Sequence, residues 1–458
     1  MTQAVSTLVI LGATGDLTSR LLLPALGQLL TSEPDRRLHL IGSGTHEWTR
    51  AHWRSIVRAS FKTVKASGPA VDAVLENAEY VQADATSAVD LQRIFDASTG
   101  VTALYFALPP AVSAQACTEL GKLELPKGTV LVLEKPFGTD EKSAIALNDK
   151  LTKLVPESQI HRVDHFLGRS TVFNLLGLRF ANRIFEPVWN SEHIERVDIV
   201  YDETLALEGR ARYYDQAGAL VDMIQSHLLQ VMAVLAMEPP STLDAQDLWD
   251  AKALVLRATH LVDDDPVRST RRARYTAGTI EGEKIPSYVD EDGVDPSRNT
   301  ETLAEATFAV DTWRWAGVPF TLRSGKALGL RRREIVITFR QASHVPTGLR
   351  GVKEPTKLRL MLAPDVMALE LNVNGPGDPF HIDRAALTVD FGPGQLEAYG
   401  EVIAGILDGD SSLSVRGDTA VECWRIVDPI LAAWAENKVP LDEYPAGSSG
   451  PTAWPPLG

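Results

Sequence analysis

The chain has 458 residues, 44% of them hydrophobic and 23% charged, and a net charge of −15. That length exceeds what one compact core usually holds, and the acidic balance argues against a nucleic-acid surface, which needs a net basic face. Two cysteines, Cys117 and Cys423, make no disulfide framework and suit a reducing cytosol. The polar start M-T-Q-A-V-S carries no basic leader, and no apolar run approaches the roughly 20 residues of a membrane span, so a soluble cytoplasmic protein with no membrane partner is expected.

In chain order, short apolar runs at Thr7–Leu11, Leu38–Ser43, Tyr80–Gln82, Ala103–Ala107 and Val130–Leu133 read as strands. Between them Leu17–Leu30, Trp48–Lys65, Val89–Ala97 and Ala111–Leu120 carry helical spacing, with Cys117 on the last as a small core residue. Such alternation predicts βαβ units, hence an α/β Rossmann domain with a doubly wound parallel sheet, over residues 1–170. From there the pattern changes. Ile194–Tyr201, Ala253–Leu256, Thr307–Thr312, Glu334–Phe339, Lys357–Met361, Ala368–Val373 and Ala386–Val389 read as strands, with helices at Ile224–Ala236 and Thr419–Glu436. This predicts an α+β domain with a large, mostly antiparallel sheet over residues 171–444. Residues 445–458, rich in Pro, Gly and Ser, read as a flexible tail.

The first strand runs into Gly12-Ala13-Thr14-Gly15-Asp16-Leu17, and a helix opens there. A glycine turn ahead of a helix start lets backbone N–H groups approach a pyrophosphate. The second strand ends at Gly42–Glu47, near where a carboxylate suits NAD and an arginine suits NADP, but Glu47 and Arg50 each fall a few residues past the expected place. Thr45 can bond a ribose hydroxyl or a phosphate oxygen, and Arg50 can swing back as a substitute cation. Pro109, in A-L-P-P, ends the fourth strand on the nicotinamide side, and Lys135, in E-K-P-F-G, points from the end of the fifth into the crevice where ligands bind.

Arg162–Gly168 reads R-V-D-H-F-L-G, and His227 follows in I-Q-S-H-L-L-Q. An Asp-His pair and a separate histidine can remove a proton while a cofactor takes a hydride, because imidazole titrates near neutrality. Taken by itself, His227 beside Leu228 and Leu229 has the pattern of a core histidine. His161 and His165 form an H-x-x-x-H pair, but Arg162 stands where a zinc protease has its glutamate, so no metal is expected.

G-A-T-G-D-L, E-K-P-F-G, R-V-D-H-F-L-G, L-R-F-A-N-R, Q-S-H-L-L-Q, A-M-E-P-P, W-A-G-V-P-F-T-L-R-S-G-K and W-R-I-V-D-P occur in that order, and the chain so resembles the glucose-6-phosphate dehydrogenase family. The resemblance implies oxidation of the C1 hydroxyl of glucose 6-phosphate, His227 as general base and Asp164 as the carboxylate that supports it. It implies His165 and Arg169 on the substrate phosphate, and Lys135, Glu203, Asp222, Lys326 and Arg331 on the sugar. It also implies NADP, with NAD usable, and a homodimer or homotetramer. The sequence departs from the family at Arg169, generally Lys; at Phe166, commonly Tyr; at Leu21, often basic; and at Ala363, a glutamine in some members. Two rival readings are a dehydrogenase of the same fold for another aldose, and a nucleotide-binding sensor that has lost the chemistry.

Overall fold

The computed structural model describes residues 4–207, 209, 211–375, 377–392 and 394–458; the polar residues 1–3 lie outside them. It has two compact units. The first holds the chain up to Arg169 together with Pro240–Ala251 and Gly394–Glu422, and the second holds Ser170–Pro239, Lys252–Pro393 and Cys423–Gly458. The division is thus interleaved, where the sequence suggested two consecutive pieces.

In the first unit β1 (Thr7–Leu11), β2 (His39–Gly44), β3 (Glu79–Gln82), β4 (Thr102–Phe106), β5 (Val130–Leu133) and β6 (Ile160–Arg162) form one parallel sheet, ordered β3-β2-β1-β4-β5-β6. This is the doubly wound order expected of a dinucleotide-binding sheet. Successive side chains of a strand face opposite ways, so each strand feeds two cores. Leu8, Ile10, Leu40, Ala103, Tyr105 and Val132 pack on one face, against the helices Leu23–Ser32, Arg50–Thr63, Pro69–Asn77 and Ala398–Asp408. Val9, Leu11, Ile41, Leu104, Phe106 and Leu131 pack on the other, against Ala88–Ala97, Pro110–Leu120 and Glu141–Leu154. Cys117 is buried in that second core, and burial pushes its thiol up to about 12, so it is inert packing.

The second unit is built on an 11-stranded sheet. Its strands are β7 (Ile194–Asp202), β8 (Thr259–Leu261), β9 (Thr270–Thr276), β12 (Leu303–Val310), β13 (Phe320–Gly325), β14 (Arg332–Phe339), β15 (Arg350–Gly351), β16 (Lys357–Leu362), β17 (Asp365–Asn374), β18 (His381–Asp390) and β19 (Leu441–Pro445). The short strands Gly278–Ile280 and Glu283–Ile285, β10 and β11, pair only with each other. Most neighbours in the large sheet are antiparallel; β7–β13, β9–β19 and β15–β18 are parallel.

Three expectations change. Ala253–Leu256, read as a strand, lies in the helix Ala245–Arg257. Leu248, Trp249, Ala253 and Leu256 are all buried, so its apolar positions recur at helical spacing, which four residues read alone do not reveal. The tail is packed rather than flexible. Leu441–Pro445 pairs with β9, Trp454 is 9% exposed, and arginines of the sheet hold main-chain carbonyls: Arg323 on Ser449, Arg332 on Leu457 and Arg359 on Gly458. Finally, Tyr213–Ala236 is long and apolar enough to cross a membrane, yet 83% of its apolar window is buried inside the fold, so it is a core helix.

Candidate active site

The first unit gathers its candidates at the carboxyl ends of the parallel strands. After β1 the chain turns at Gly12 with φ +88°, and a Cβ there would sit 2.1 Å from the Ala107 carbonyl oxygen, so only glycine fits between two strand ends. The Gly15 N–H donates to the Gly12 carbonyl at 3.0 Å, and so does the Thr18 hydroxyl at 3.2 Å. Ala13 is buried, while Thr14, Gly15 and Leu17 are part-exposed and Asp16 is exposed at the helix start. The tight glycine turn, opening onto a helix N-terminus, suits a dinucleotide pyrophosphate.

Beside it, β2 ends in the exposed bend at Thr45, whose carbonyl accepts from Gln82 Nε2 at 3.1 Å. Arg50 does not join this edge. Thr49 caps the helix, its hydroxyl accepting from the His52 N–H at 3.1 Å, and Arg50 at the first helical position donates to Glu79 at 2.7 Å and to the Ala78 carbonyl at 3.3 Å. In this arrangement Arg50 is paired with Glu79 rather than turned toward Thr45.

Pro109 is exposed at the cap of the helix Pro110–Leu120. Lys135 is half-buried after β5, joined to Pro136 by a cis peptide. Its neighbour Glu134 accepts from the Tyr105 hydroxyl at 2.5 Å and the Tyr399 hydroxyl at 3.4 Å. Burial raises the Glu134 carboxyl, against the pull of Tyr105 and Lys135. After β6, Asp164 is 1% exposed and accepts from the Phe166 N–H at 2.9 Å. His165 is part-exposed and stacks on Tyr399, ring centres 5.3 Å apart and planes 10° from parallel. Arg169 lays its guanidinium 4.8 Å from the Phe166 ring centre, a cation–π contact that a phenylalanine makes without the hydroxyl common in the family. Tyr399 arrives from the Gly394–Glu422 segment, and no local sequence pattern announces it.

In the second unit Lys326 follows β13 and Glu203 follows β7, and these two parallel strands are paired neighbours. Lys326 Nζ donates to Glu203 Oε2 at 2.9 Å, and Arg333 donates to Glu203 Oε1 at 2.6 Å. Burial opposes charge on Glu203, but Lys326 and Arg333 outweigh it and hold the carboxyl below its ordinary value. Arg333 also covers the Tyr201 ring at 4.5 Å, and Lys326 lies 5.3 Å from the Tyr214 ring centre. Arg331 is exposed ahead of β14, so Arg333, which the sequence reading missed, is the arginine brought to Glu203. Asp222 accepts from the Tyr213 hydroxyl at 3.4 Å, and His227 is 1% exposed. Both lie in the π-helical stretch Leu220–Leu228, against which β12 and β13 pack.

Two family models match the chain in succession. Residues 9–174 match that of the glucose-6-phosphate dehydrogenase NAD binding domain, and residues 176–457 that of the C-terminal domain. The chain is 39% identical to a glucose-6-phosphate 1-dehydrogenase of Gluconobacter oxydans over 97% of its own length and 94% of the relative's. It is 34% identical to one of Bacillus subtilis, over 98% and 96%. A solved glucose-6-phosphate dehydrogenase in complex with its substrate glucose-6-phosphate superposes with a TM-score of 0.88 at 29% identity, covering 99% of this chain and 97% of that one. The enzyme from Mycobacterium avium superposes at 0.84 and 31% identity, covering 98% and 96%.

Proposed function

The chain belongs to the glucose-6-phosphate dehydrogenase family, and from that premise we propose that it oxidises the C1 hydroxyl of glucose 6-phosphate to 6-phosphoglucono-1,5-lactone, the first oxidative step of the pentose phosphate pathway. The observation that carries the reading is a buried histidine, His227, in the same unit as the Glu203–Lys326 ion pair. In this reading His227 takes the proton from the C1 hydroxyl, and Asp164 orients it and supports the imidazolium. Lys326, Glu203, Asp222 and Lys135 hold the sugar hydroxyls. Glu203, kept ionised by its two cations, accepts from them, while Lys326 donates. His165 and Arg169 take the phosphate; Arg in place of the usual Lys offers a two-pronged donor. The Gly12–Leu17 loop holds a nicotinamide dinucleotide, which when bound supplies the hydride acceptor.

NADP with measurable use of NAD is the proposed cofactor preference. The first is what the resemblance implies, and the lack of an arginine at Thr45, with a matching family model described as an NAD binding domain, supports the second. A homodimer or homotetramer is the proposed assembly. Leu387, Val389 and Phe391 alternate along and just past β18 and are 64%, 45% and 44% exposed, which leaves an apolar stripe on the large sheet for a second copy. The direct test is the absorbance of reduced nicotinamide when purified protein meets glucose 6-phosphate, free glucose and other aldose phosphates with either dinucleotide. Faster turnover of another aldose phosphate would assign the chain a different substrate, and no turnover with any of them would leave it a nucleotide-binding sensor.

A further inference from the structure

The helix that carries Asp222 and His227 has an abrupt start. Gly218 leaves helical geometry with φ 63° and ψ 178°, so the N–H groups of Ala219 and Leu220 open a new helical run without an upstream carbonyl. Glu301 supplies acceptors to both: its side-chain Oε1 accepts from Leu220 at 2.9 Å and its main-chain carbonyl from Ala219 at 3.3 Å. It is 6% exposed and packs so closely that a Cβ on Gly218 would lie 2.3 Å from Oε1. Glycine at 218 serves both the backbone angle and this approach.

The neighbours of Glu301 bind other parts of the same unit. The Thr300 hydroxyl donates to the Asp215 carbonyl at 2.7 Å, in the turn of chain before Gly218. The Thr302 carbonyl accepts from the Lys326 N–H at 2.9 Å. Tyr444 closes the arrangement, its hydroxyl donating to the Lys326 carbonyl at 2.7 Å and lying 2.8 Å from the Thr302 hydroxyl. Three consecutive residues therefore tie the helix start to the backbone of the lysine that pairs with Glu203.

We propose that Glu301 is a positioning residue: it fixes the start of the helix bearing Asp222 and His227 relative to Lys326, and so sets where the base meets the sugar. The proposal rests on the reading of His227 as the base. A carboxyl group suits the place because an anion at a helix N-terminus is favoured. Burial lifts its titration to about 7, with Leu220 and Arg272 pulling the other way, and the protonated acid still offers its carbonyl oxygen to Leu220. The bond therefore holds on either side of neutrality, and reach matters more than charge.

The test is the series Glu301→Gln, Glu301→Asp and Glu301→Ala, with kcat and both KM values measured beside thermal unfolding. Glutamine keeps an oxygen at the same reach and should leave kcat little changed. Aspartate keeps the charge but is one methylene short. It and alanine should lower kcat about 10- to 100-fold, the scale of a misplacement near 1 Å, with the dinucleotide KM unchanged. Lower thermal stability with kcat unchanged in all three would show a purely structural role and overturn the proposal. So would aspartate outperforming glutamine, since charge would then decide. His227→Asn is measured in parallel. If it is silent, the base reading falls and this proposal with it. If it is inactive while Glu301→Asp and Glu301→Ala turn over normally, only this proposal falls. Should the alanine variant not fold, the order of Gln and Asp still decides.

Discussion

Arg50 and Glu79 form an ion pair, Nη2 to Oε1 at 2.7 Å. Glu79 is the first residue of β3, level with Ile41, whereas the last residue, Gln82, pairs with Gly44 at the ligand edge. The guanidinium is therefore engaged with the residue that starts β3 and not with its carboxyl end. With Arg50 engaged by Glu79, Arg50→Ala should leave the KM for NADP and the preference between the two cofactors unchanged. Thr45→Arg should improve NADP over NAD on the order of tenfold, since a charge-assisted bond to phosphate is worth about 1.4 kcal/mol or more. Specificity constants with both cofactors check this, and a large loss of NADP affinity in Arg50→Ala would contradict the geometry.

If His227 is the base, its removal should spare binding. His227→Asn is expected to cut turnover by about 10²–10⁴ with dinucleotide affinity intact, as general bases commonly contribute that much. Asp164→Asn should lose less and follow the same pH profile, because it removes only the charge supporting the imidazolium. Dinucleotide titrations by fluorescence beside steady-state rates make the comparison.

The proposed phosphate site gives a contrast between two sugars. Arg169→Ala should raise the KM for glucose 6-phosphate far more than it lowers kcat, as the loss of uniform binding does, and hardly alter the oxidation of free glucose. Equal loss for both sugars would mean that the stacking of Arg169 on Phe166 supports the fold instead.

On the large sheet, the double change Leu387→Asp and Val389→Asp puts two carboxylates on the exposed apolar stripe of β18. If a second copy covers that stripe, light scattering should report a smaller assembly than the parent protein forms, with the far-ultraviolet circular dichroism unchanged. An unaltered mass would place self-association elsewhere.

His161 is 2% exposed, with Nδ1 3.1 Å from the Ser414 hydroxyl, and burial lowers its titration from 6.5 to about 4. The unfolded chain takes up a proton below 6.5 that the folded chain refuses until about 4. The neutral ring is therefore no burden above 6.5, and up to about 3 kcal/mol of stability is lost as pH falls through that window. Urea unfolding across it should show a shallower fall for His161→Leu than for the parent. Equal slopes would mean that His161 is charged in the folded protein.

How much was legible follows from the range of each interaction. The alternation of strands and helices before residue 170 is a local signal, carried by which faces of each element are apolar, and it led to the parallel sheet. The Gly12–Leu17 turn was legible for the same reason, from glycines placed between an apolar run and a helical pattern. The start of the Asp222–His227 helix had no such signature, because the group that caps it, Glu301, is far away in the sequence.

The sequence by itself determined the class of each half, the glycine turn between the first strand and its helix and, through its ordered motifs, the family. Only the tertiary structure decided that Pro240–Ala251 and Gly394–Glu422 belong to the first unit, that Tyr399 stacks on His165, and that the tail is held by sheet arginines. It also decided that Arg333 rather than Arg331 reaches Glu203, and that Arg50 pairs with Glu79. Each of these is a pairing between residues distant in the chain or between rival partners of one cation. Periodicity encodes which face of an element is buried, but which carboxylate lies nearest a given arginine is settled only once the strands are in register.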